Sequence, residues 1–391
     1  MRVGLHLSEY PSGKAHGGMA TYVYTLANAF AECGQEVHLV QKIGLQEDRL
    51  DKRISIYRIA PQPLTPWVSR FSRLLDKPEI RHQRTFSKAA LNVFNAVSEK
   101  QPLDIVQLPE YNGEAIEFRK TPYPVVIRFH TPTFLLDRLN GITPDSRRRA
   151  WYRFEYRAIR RADALISSSE GLKKEVCSFY DIPLKKVRVI RNPVKIVKSA
   201  PLSVINKEGQ GLTVLYAGRL EKRKGIETLI HALPMLLQDN PDARFVIAGQ
   251  DATDGERYQK TLQALSVSHP NRIVLTGGLS RTALQEWYAM ADVVLVPSLF
   301  DNSPNVLFEA MAAGIACAAS DTGGIDEMVT SGENGLLFPP GDSKSLHQSV
   351  TELIRDSALR QRLGQAAATR IRRDHAPEAI AREMLSFYGT L

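Results

Sequence analysis

The chain has few cysteines and no long apolar run. Only three cysteines occur among its 391 residues, Cys33, Cys177 and Cys317, and no two of them form a C-x-x-C pair. Because isolated thiols suit neither a disulfide framework nor a zinc site, we expect reduced structural cysteines and no bound metal. No segment approaches the roughly 18 apolar residues of a membrane span, and the first apolar stretch is too short for a signal-peptide core. We therefore expect a cytosolic protein.

Two sequence patterns that would define other classes are also missing. The dinucleotide fingerprint G-x-G-x-x-G does not occur, which disfavours a nicotinamide-dependent dehydrogenase. Internal repeats and low-complexity tracts are absent as well, so a solenoid or a disordered polymer is not indicated.

Positive charge is in excess and is concentrated in two stretches. The 51 lysines and arginines outnumber the 42 acidic residues by nine. Residues 147–161 hold seven arginines in one predicted helix, and residues 66–93 form a second basic, amphipathic stretch. Both could rest on anionic lipid headgroups, and the alternative is a solvated basic face. Because no recognition motif accompanies the charge, we expect no nucleic-acid partner.

Short apolar segments alternate with amphipathic helices along the whole chain, which is typical of α/β proteins whose parallel sheets are covered on both faces. The length and the 43% hydrophobic content suit two domains. The segment 193–211, rich in proline, glycine and lysine, reads as a linker between them. Strands are predicted at 3–7, 36–41, 55–59, 104–108, 125–129, 164–167 and 187–191 before the linker, and at 212–217, 244–249, 272–276, 293–297 and 315–319 after it.

One acidic segment in the second half combines carboxylates with a helix start. Asp301 precedes a predicted helix of about ten residues, with Ser303 as N-cap, Pro304 at the first helical position and Gly314 at the end. The first amides of this helix, with its dipole, would meet sugar hydroxyls or phosphate, and Glu309 lies inside the helix. Asp301 and Glu309 can therefore contact two different parts of one elongated ligand. The alternative is ordinary capping by the first acid and an exposed helix position for the second.

Two further loops carry groups that suit phosphate. Arg219 and Lys224 follow a predicted strand, at the end where open α/β sheets bind ligands, and two cations there suit a diphosphate. Gly17 and Gly18 precede the first helix and would let the backbone approach a phosphate closely. The alternatives are a solvated basic turn and a simple glycine turn.

In the first half of the chain, polar residues also directly follow two predicted strands. His130 follows the predicted strand 125–129, and Glu110, the weaker candidate, follows the strand before it. A contact with a ligand and a structural hydrogen bond are both open for His130.

Taken together, these residues resemble the retaining glycosyltransferases of family 4. Proteins of this family have the GT-B architecture, in which two Rossmann-like, doubly wound parallel-sheet domains face each other across a cleft. The resemblance spans nearly the whole chain, and its markers are Gly17-Gly18, His130, 162–169, 187–192, 217–220, Lys224-Gly225, Asp301 and Glu309.

The resemblance implies a domain division and a set of roles. Residues 1–193 would bind the acceptor, residues 194–374 the donor, and the helix 375–391 would pack back on the first domain. The family motif is E-x(7)-E, and Asp301 replaces its first glutamate. The implied donor-binding set is Gly17, Gly18, Arg219, Lys224, Asp301, Asn302, Ser303, Asn305, Val306 and Glu309, and the implied catalytic set is His130, Asp301, Arg219 and Lys224.

Within these sets, Glu309 would bind the donor ribose, while Asp301 and the amides after it would hold the hexose. Arg219 and Lys224 would neutralise the diphosphate, and His130 would sit by the transferred sugar. Because the chain has no D-x-D triplet, the resemblance implies that basic side chains and amides hold the diphosphate without a metal or another cofactor.

The activity implied by the resemblance is retaining transfer of a hexose or hexose derivative from a UDP-sugar or GDP-mannose. The acceptor would be a hydroxyl of a glycan, a lipid-linked or another small molecule, in cell-surface polysaccharide or glycoconjugate synthesis on the cytoplasmic membrane face. Two rivals stay open. A nucleotide-sugar epimerase or hydrolase of the same fold would consume donor without acceptor, and a non-catalytic nucleotide-sugar-binding protein would bind donor without turnover.

Overall fold

The computed structural model describes residues 1–7, 18–42, 51–62, 77–195, 211–251 and 256–391. The chain divides into two units, which we call the first unit, Met1–Pro193 with Pro377–Leu391, and the second unit, Val194–Ala376. The last helix therefore belongs to the first unit although it follows the second unit along the chain.

The first unit is built on a parallel sheet. Its described strands are β1 (Arg2–Leu7), β2 (Glu36–Lys42), β3 (Ile54–Ile59), β4 (Ile105–Pro109), β5 (Val125–Phe129), β6 (Ala164–Ser167) and β7 (Val187–Val189). They lie in the order β3-β2-β1-β4-β5-β6-β7, and each neighbouring pair is parallel. The order reverses between β1 and β4, so the carboxyl ends of these two strands flank a topological switch point, where open α/β sheets bind ligands.

Helices cover this sheet because each has an apolar stripe. They are α1 (Gly18–Glu32), α2 (Pro78–Lys100), α3 (Thr133–Leu139), α4 (Ser146–Ile159), α5 (Glu170–Tyr180) and α12 (Pro377–Tyr388). In α1 the buried residues Val23, Leu26 and Phe30 follow helical spacing, and Gly34, at φ +79°, turns the chain after the helix. The final helix α12 packs on α1, and the Tyr388 hydroxyl donates a buried hydrogen bond to the Gln107 side chain at 2.7 Å.

The second unit is also built on a parallel sheet covered by helices. Its described strands are β8 (Thr213–Ala217), β9 (Arg244–Ala248), β10 (Ile273–Gly277), β11 (Val293–Val296), β12 (Ala316–Ser320) and β13 (Leu336–Phe338). The parallel order is β10-β9-β8-β11-β12-β13, so the switch point lies between β8 and β11. Its helices are α6 (Ile226–Asp239), α7 (Arg257–Ser268), α8 (Arg281–Met290), α9 (Asn305–Ala312), α10 (Ser343–Arg355) and α11 (Ser357–Asp374). Strand β13, which the sequence did not predict, has only three residues and therefore too little periodicity to be recognised.

Candidate functional site

Two loops of the second unit meet at its switch point. After β8, a 3₁₀ turn (Lys222–Lys224) ends at Gly225, whose φ is +72°. A Cβ atom at Gly225 would lie 1.7 Å from the Pro297 carbonyl oxygen, so only glycine allows this close approach to the loop after β11. The Leu299 amide donates to the Arg223 carbonyl at 2.8 Å, which holds the two loops together. The basic loop and the acidic loop are therefore one structural unit.

The Lys224 ammonium group forms a hydrogen-bonded ion pair with Asp301. The Asp301 side chain is only 6% exposed and that of Lys224 is 23% exposed. Burial raises the pKa of Asp301, but Lys224 and Arg223 outweigh this effect and hold it below its ordinary value. Burial and Arg223 lower the pKa of Lys224, and Asp301 opposes that shift. Because each charge compensates the other, the pair can stay ionised although it is largely enclosed.

Arg219 extends this group of charges toward solvent. Its side chain is 58% exposed, and its Nη2 atom lies 3.2 Å from the Glu221 carboxylate. The same carboxylate oxygen of Glu221 accepts from Arg223 at 2.7 Å, and Arg223 lies 4.0 Å from Asp301. We call Arg219, Glu221, Arg223, Lys224 and Asp301 the charged cluster. With three cations and two carboxylates it keeps a net positive charge at the ligand-binding edge of the sheet.

Helix α9 follows the acidic loop and carries Glu309. It runs from Asn305 to Ala312 with Pro304 at the N-cap and no side-chain cap, so the prediction of Ser303 as the N-cap is wrong by one residue. Pro304, which has no N–H, takes the extended conformation of the cap and not the first helical position. Residues Asn302, Ser303, Asn305 and Val306 are all half-buried around this helix start.

Glu309 is oriented by helix α8. The Tyr288 hydroxyl donates to a Glu309 carboxylate oxygen at 3.1 Å, and Tyr288 itself is buried. Burial raises the pKa of Glu309, while the Arg281 cation and the Tyr288 hydrogen bond oppose that shift. Burial and the neighbouring Glu309 raise the pKa of Tyr288 well above its ordinary value, so the phenol remains a hydrogen-bond donor.

The Gly323-Gly324 pair holds the backbone of the acidic loop. The Gly324 amide donates to the Asp301 carbonyl at 2.9 Å, and Gly323 has a φ of +71° with no space for a Cβ atom, which would lie 2.2 Å from that carbonyl oxygen. The Gly324 amide therefore has an internal partner, which fixes the backbone at Asp301.

The candidate residues of the first unit lie at its own sheet edge and helix start. Gly18 is the exposed first residue of α1, whereas Gly17 lies outside the described residues. His130 directly follows β5, is half-buried, and packs edge-on against Tyr22 with ring centroids 5.2 Å apart. Burial, together with the Arg128 cation, lowers the pKa of His130 to about 3, so its ring is neutral near pH 7. Glu110 is completely buried, and its carboxylate accepts a hydrogen bond from the His130 amide.

Three participants were not predicted from the sequence. Glu221 is an acid among the cations of the basic loop, which is a weak signal of an internal ion pair, whereas Arg223 lies between two lysines and gives no signal of its own. Tyr288 gives no signal, because its contact with Glu309 depends on how α8 and α9 pack.

The two basic stretches differ in how much charge they expose. The side chains of Arg149 and Arg153 in α4, and of Arg160 at its C-cap, are exposed, whereas Arg147 and Arg148 pair with Glu79 and Asp137. Within 66–93, residues 66–76 lie outside the described part of the chain, and Arg84 is buried in an ion pair with Glu117. The prediction that the basic stretch 66–93 faces lipid is therefore wrong for Arg84.

The described ranges contain neither a membrane-spanning helix nor a cluster of metal-ligating side chains. No helix there is sufficiently long and apolar to cross a membrane. No group of three or more His, Cys, Asp or Glu side chains in the same ranges is arranged to hold a metal ion.

Comparison with known proteins identifies the class. Residues 16–198 match the family model "Glycosyltransferase Family 4", and residues 202–370 match "Glycosyl transferases group 1". An uncharacterised glycosyltransferase of Methanocaldococcus jannaschii is 27% identical over 99% of this chain and 98% of its own length. The phosphatidyl-myo-inositol mannosyltransferase of Mycobacterium leprae is 27% identical over 100% of this chain and 97% of its own.

Solved structures agree on the fold. Sucrose-phosphate synthase of Thermosynechococcus elongatus superimposes with a TM-score of 0.76 at 22% identity, covering 100% of this chain and 98% of that chain. The Anabaena protein HepE, in complex with UDP-glucose, gives a TM-score of 0.70 at 18% identity, with both chains fully covered.

The protein is thus a glycosyltransferase with two Rossmann-like units of the GT-B type. It belongs to the family that these two matching models describe, glycosyltransferase family 4 with its group 1 domain.

Proposed function

We propose that this glycosyltransferase moves a hexose or hexose derivative from a nucleoside-diphosphate sugar, a UDP-sugar or GDP-mannose, to an acceptor hydroxyl with retention at the anomeric carbon. The observation that carries the proposal is the charged cluster at the switch point of the second unit, followed directly by the helix that holds Glu309. The relatives support it, since one is named a mannosyltransferase and HepE was solved with UDP-glucose.

In the donor site, Arg219 and Lys224 neutralise the diphosphate, and the half-exposed Arg219 is the more accessible of the two. Glu309, oriented by Tyr288, accepts the ribose hydroxyls. Asp301 and the backbone around Asn302, Ser303, Asn305 and Val306 hold the hexose at the start of α9. No metal or other cofactor takes part in this proposal.

In the first unit, the proposed contributors are Gly17 and Gly18, through their backbone, and His130. Because His130 is neutral at physiological pH, it contributes a hydrogen bond to the sugar and not a positive charge. Retention proceeds by attack from the face of the leaving group, whose diphosphate oxygen takes the acceptor proton. Family likeness supports this step, and inversion at the anomeric carbon of the product, measured by NMR, would contradict it.

The acceptor is a glycan, a lipid-linked or another small molecule, used in making cell-surface polysaccharide or glycoconjugate. Exposed arginines on α4 support a position at the cytoplasmic face of an anionic membrane.

The test begins with a thermal-shift panel of nucleoside diphosphates and their sugars. A ligand at ~100 times its Kd stabilises the fold by about 2.7 kcal/mol, which is enough to rank the panel. The best donor is then incubated with and without candidate acceptor hydroxyls. We expect a glycosylated product that needs an acceptor. Donor consumption without an acceptor would favour the hydrolase or epimerase, and binding without turnover would favour the non-catalytic nucleotide-sugar-binding protein.

A further inference from the structure

Two completely buried carboxylates lie at the sheet edge of the first unit, outside the charged cluster. Glu110 directly follows β4 and is 0% exposed. Both of its carboxylate oxygens lie 2.9 Å from the His130 amide nitrogen, so this one N–H is shared between them. The side chain of Glu110 therefore fixes the backbone at the residue proposed to face the sugar.

Glu155 holds the next residues of the same loop. It lies in the middle of α4, is 0% exposed, and accepts from Thr133 through both the hydroxyl, at 2.6 Å, and the amide, at 3.1 Å. It also accepts from the Asn112 amide at 3.2 Å and from the Trp151 indole at 3.3 Å. One carboxylate thus joins the turn after β4 and the loop after β5 to the same helix.

Hydrogen-bond donors surround these carboxylates where a counter-charge would be expected. Within the described ranges no cation forms an ion pair with either one. The other titratable groups that face the pair are Tyr152 on α4 and Tyr180 on α5. Burying two carboxyl groups without a cation costs folding free energy. A network of hydrogen bonds that satisfies both groups is therefore expected to serve a function that offsets this cost.

The turn after β4 is also closely packed. Asn112 and Gly113 have φ values of +60° and +61°, and a Cβ atom at Gly113 would lie 2.5 Å from the Phe154 ring. The turn therefore packs directly on α4 next to Glu155 and has little space in which to relax.

We propose that Glu110 and Glu155 are positioning residues that together fix the loop 130–133 and so hold His130 in its working orientation. This inference rests on the proposed role of His130 in the transfer reaction. Neither carboxylate needs to contact a substrate, since each acts through backbone and hydroxyl groups of the loop.

The test uses Glu110→Gln and Glu155→Gln. Glutamine is nearly isosteric, but it places an amide N–H₂ where each carboxylate accepts with both oxygens. We expect the peptide covering residues 130–133 to exchange its amide hydrogens about tenfold faster, because a donor group replaces one of the two oxygens that accept hydrogen bonds from the loop. We expect kcat to fall roughly tenfold to a hundredfold, with the KM for the donor nearly unchanged. Glu99→Gln, at an exposed site on α2, is the control and should match the wild type.

The outcomes separate this inference from the proposed function. Wild-type exchange and wild-type kcat in both glutamine variants would overturn it, and so would a raised donor KM at normal kcat. Glu110→Ala and Glu155→Ala, which remove the acceptors altogether, should give larger changes in the same direction. If the wild type bound no nucleoside-diphosphate sugar, the proposed function would fail, yet the exchange measurement would still report on the loop.

Discussion

At the scale of single residues, Glu309 offers the clearest test of the donor site. Glu309→Gln should weaken binding of the preferred nucleoside diphosphate at least about tenfold, because a charged acceptor of ribose hydroxyls is lost. Tyr288→Phe should have a smaller effect, since the carboxylate remains and only its orientation is relaxed. Isothermal titration calorimetry with UDP and GDP measures the affinity of both variants.

The control for this pair is Glu286→Gln, which changes an exposed carboxylate on the same helix as Tyr288. Unchanged affinity in Glu309→Gln, with the control also unchanged, would remove Glu309 from the site.

Lys224 provides a second test at this scale, directed at the diphosphate. Lys224→Met should reduce the preference for a nucleoside diphosphate over the monophosphate by roughly tenfold to a hundredfold, since one charge-assisted contact to phosphate is lost. The melting temperature should also fall, because Asp301 would remain buried without its partner. Lys222→Met, at the exposed first position of the same turn, is the matched control. A preference that persists in Lys224→Met would contradict the assignment.

At the scale of elements, α4 has two different faces. Its inner face carries Glu155. Its outer face carries Arg149 and Arg153, and helical spacing continues this side to Arg160 at the C-cap. Replacing these three arginines by glutamine should weaken binding to phosphatidylglycerol vesicles by about 3 kcal/mol, at about 1 kcal/mol for each arginine near an anionic surface. Vesicle co-sedimentation measures the change.

Two comparisons make the vesicle experiment specific. The same replacement at Arg362, Arg372 and Arg373, exposed positions of α11, should leave vesicle binding nearly unchanged. Vesicles of uncharged lipid should bind neither the wild type nor the two triple variants. Equal losses in the two triple variants would mean that net charge, and not the α4 face, governs the interaction.

The buried carboxylates of the first unit also predict how stability depends on pH. Burial raises the pKa of Glu110 to about 8, with the charge of Glu155 adding to the shift, and burial raises the pKa of Glu155 to about 7. Because both values lie above the ordinary 4.5, the folded chain binds more protons than the unfolded chain over this range. Their contribution to the free energy of unfolding is complete below about pH 4.5 and is lost as the pH rises to about 8.

The contribution of these two groups to the pH dependence of stability can be measured by comparing the wild type with variants that lack one of them. The free energy of unfolding should fall between pH 5 and pH 8 more steeply in the wild type than in Glu110→Gln or Glu155→Gln, because glutamine does not titrate. Parallel curves for wild type and variants in urea titrations would show that these groups titrate normally. If the expected difference is found, the stability of the variants depends less on pH while their turnover is slower, as expected where function maintains an arrangement that costs stability.

At the scale of the whole molecule, the fold was largely predictable. Alternation of short apolar runs with amphipathic helices predicted two parallel-sheet units, and the sheets and structural neighbours confirm this. Strand β13 was missed because three residues hold too little pattern. The start of α9 was displaced by one residue because Ser303 and Pro304 gave competing cap signals.

The site was predictable in outline only. Motif spacing placed Lys224 and Asp301 on loops after two strands, but their ion pair depends on the strand order β8-β11, which a sequence does not state. The same holds for Glu110 and Glu155, which are 45 positions apart along the chain and become neighbours only when α4 packs over the turn after β4. Contacts set by tertiary packing leave no local signal in the sequence.

The most direct measurement is a crystal structure of the protein with UDP-glucose or GDP-mannose, whichever it binds. We expect the diphosphate within hydrogen-bond distance of Arg219 and Lys224, with the ribose hydroxyls on Glu309. A nucleotide sugar bound elsewhere, with those three side chains touching only solvent, would contradict it.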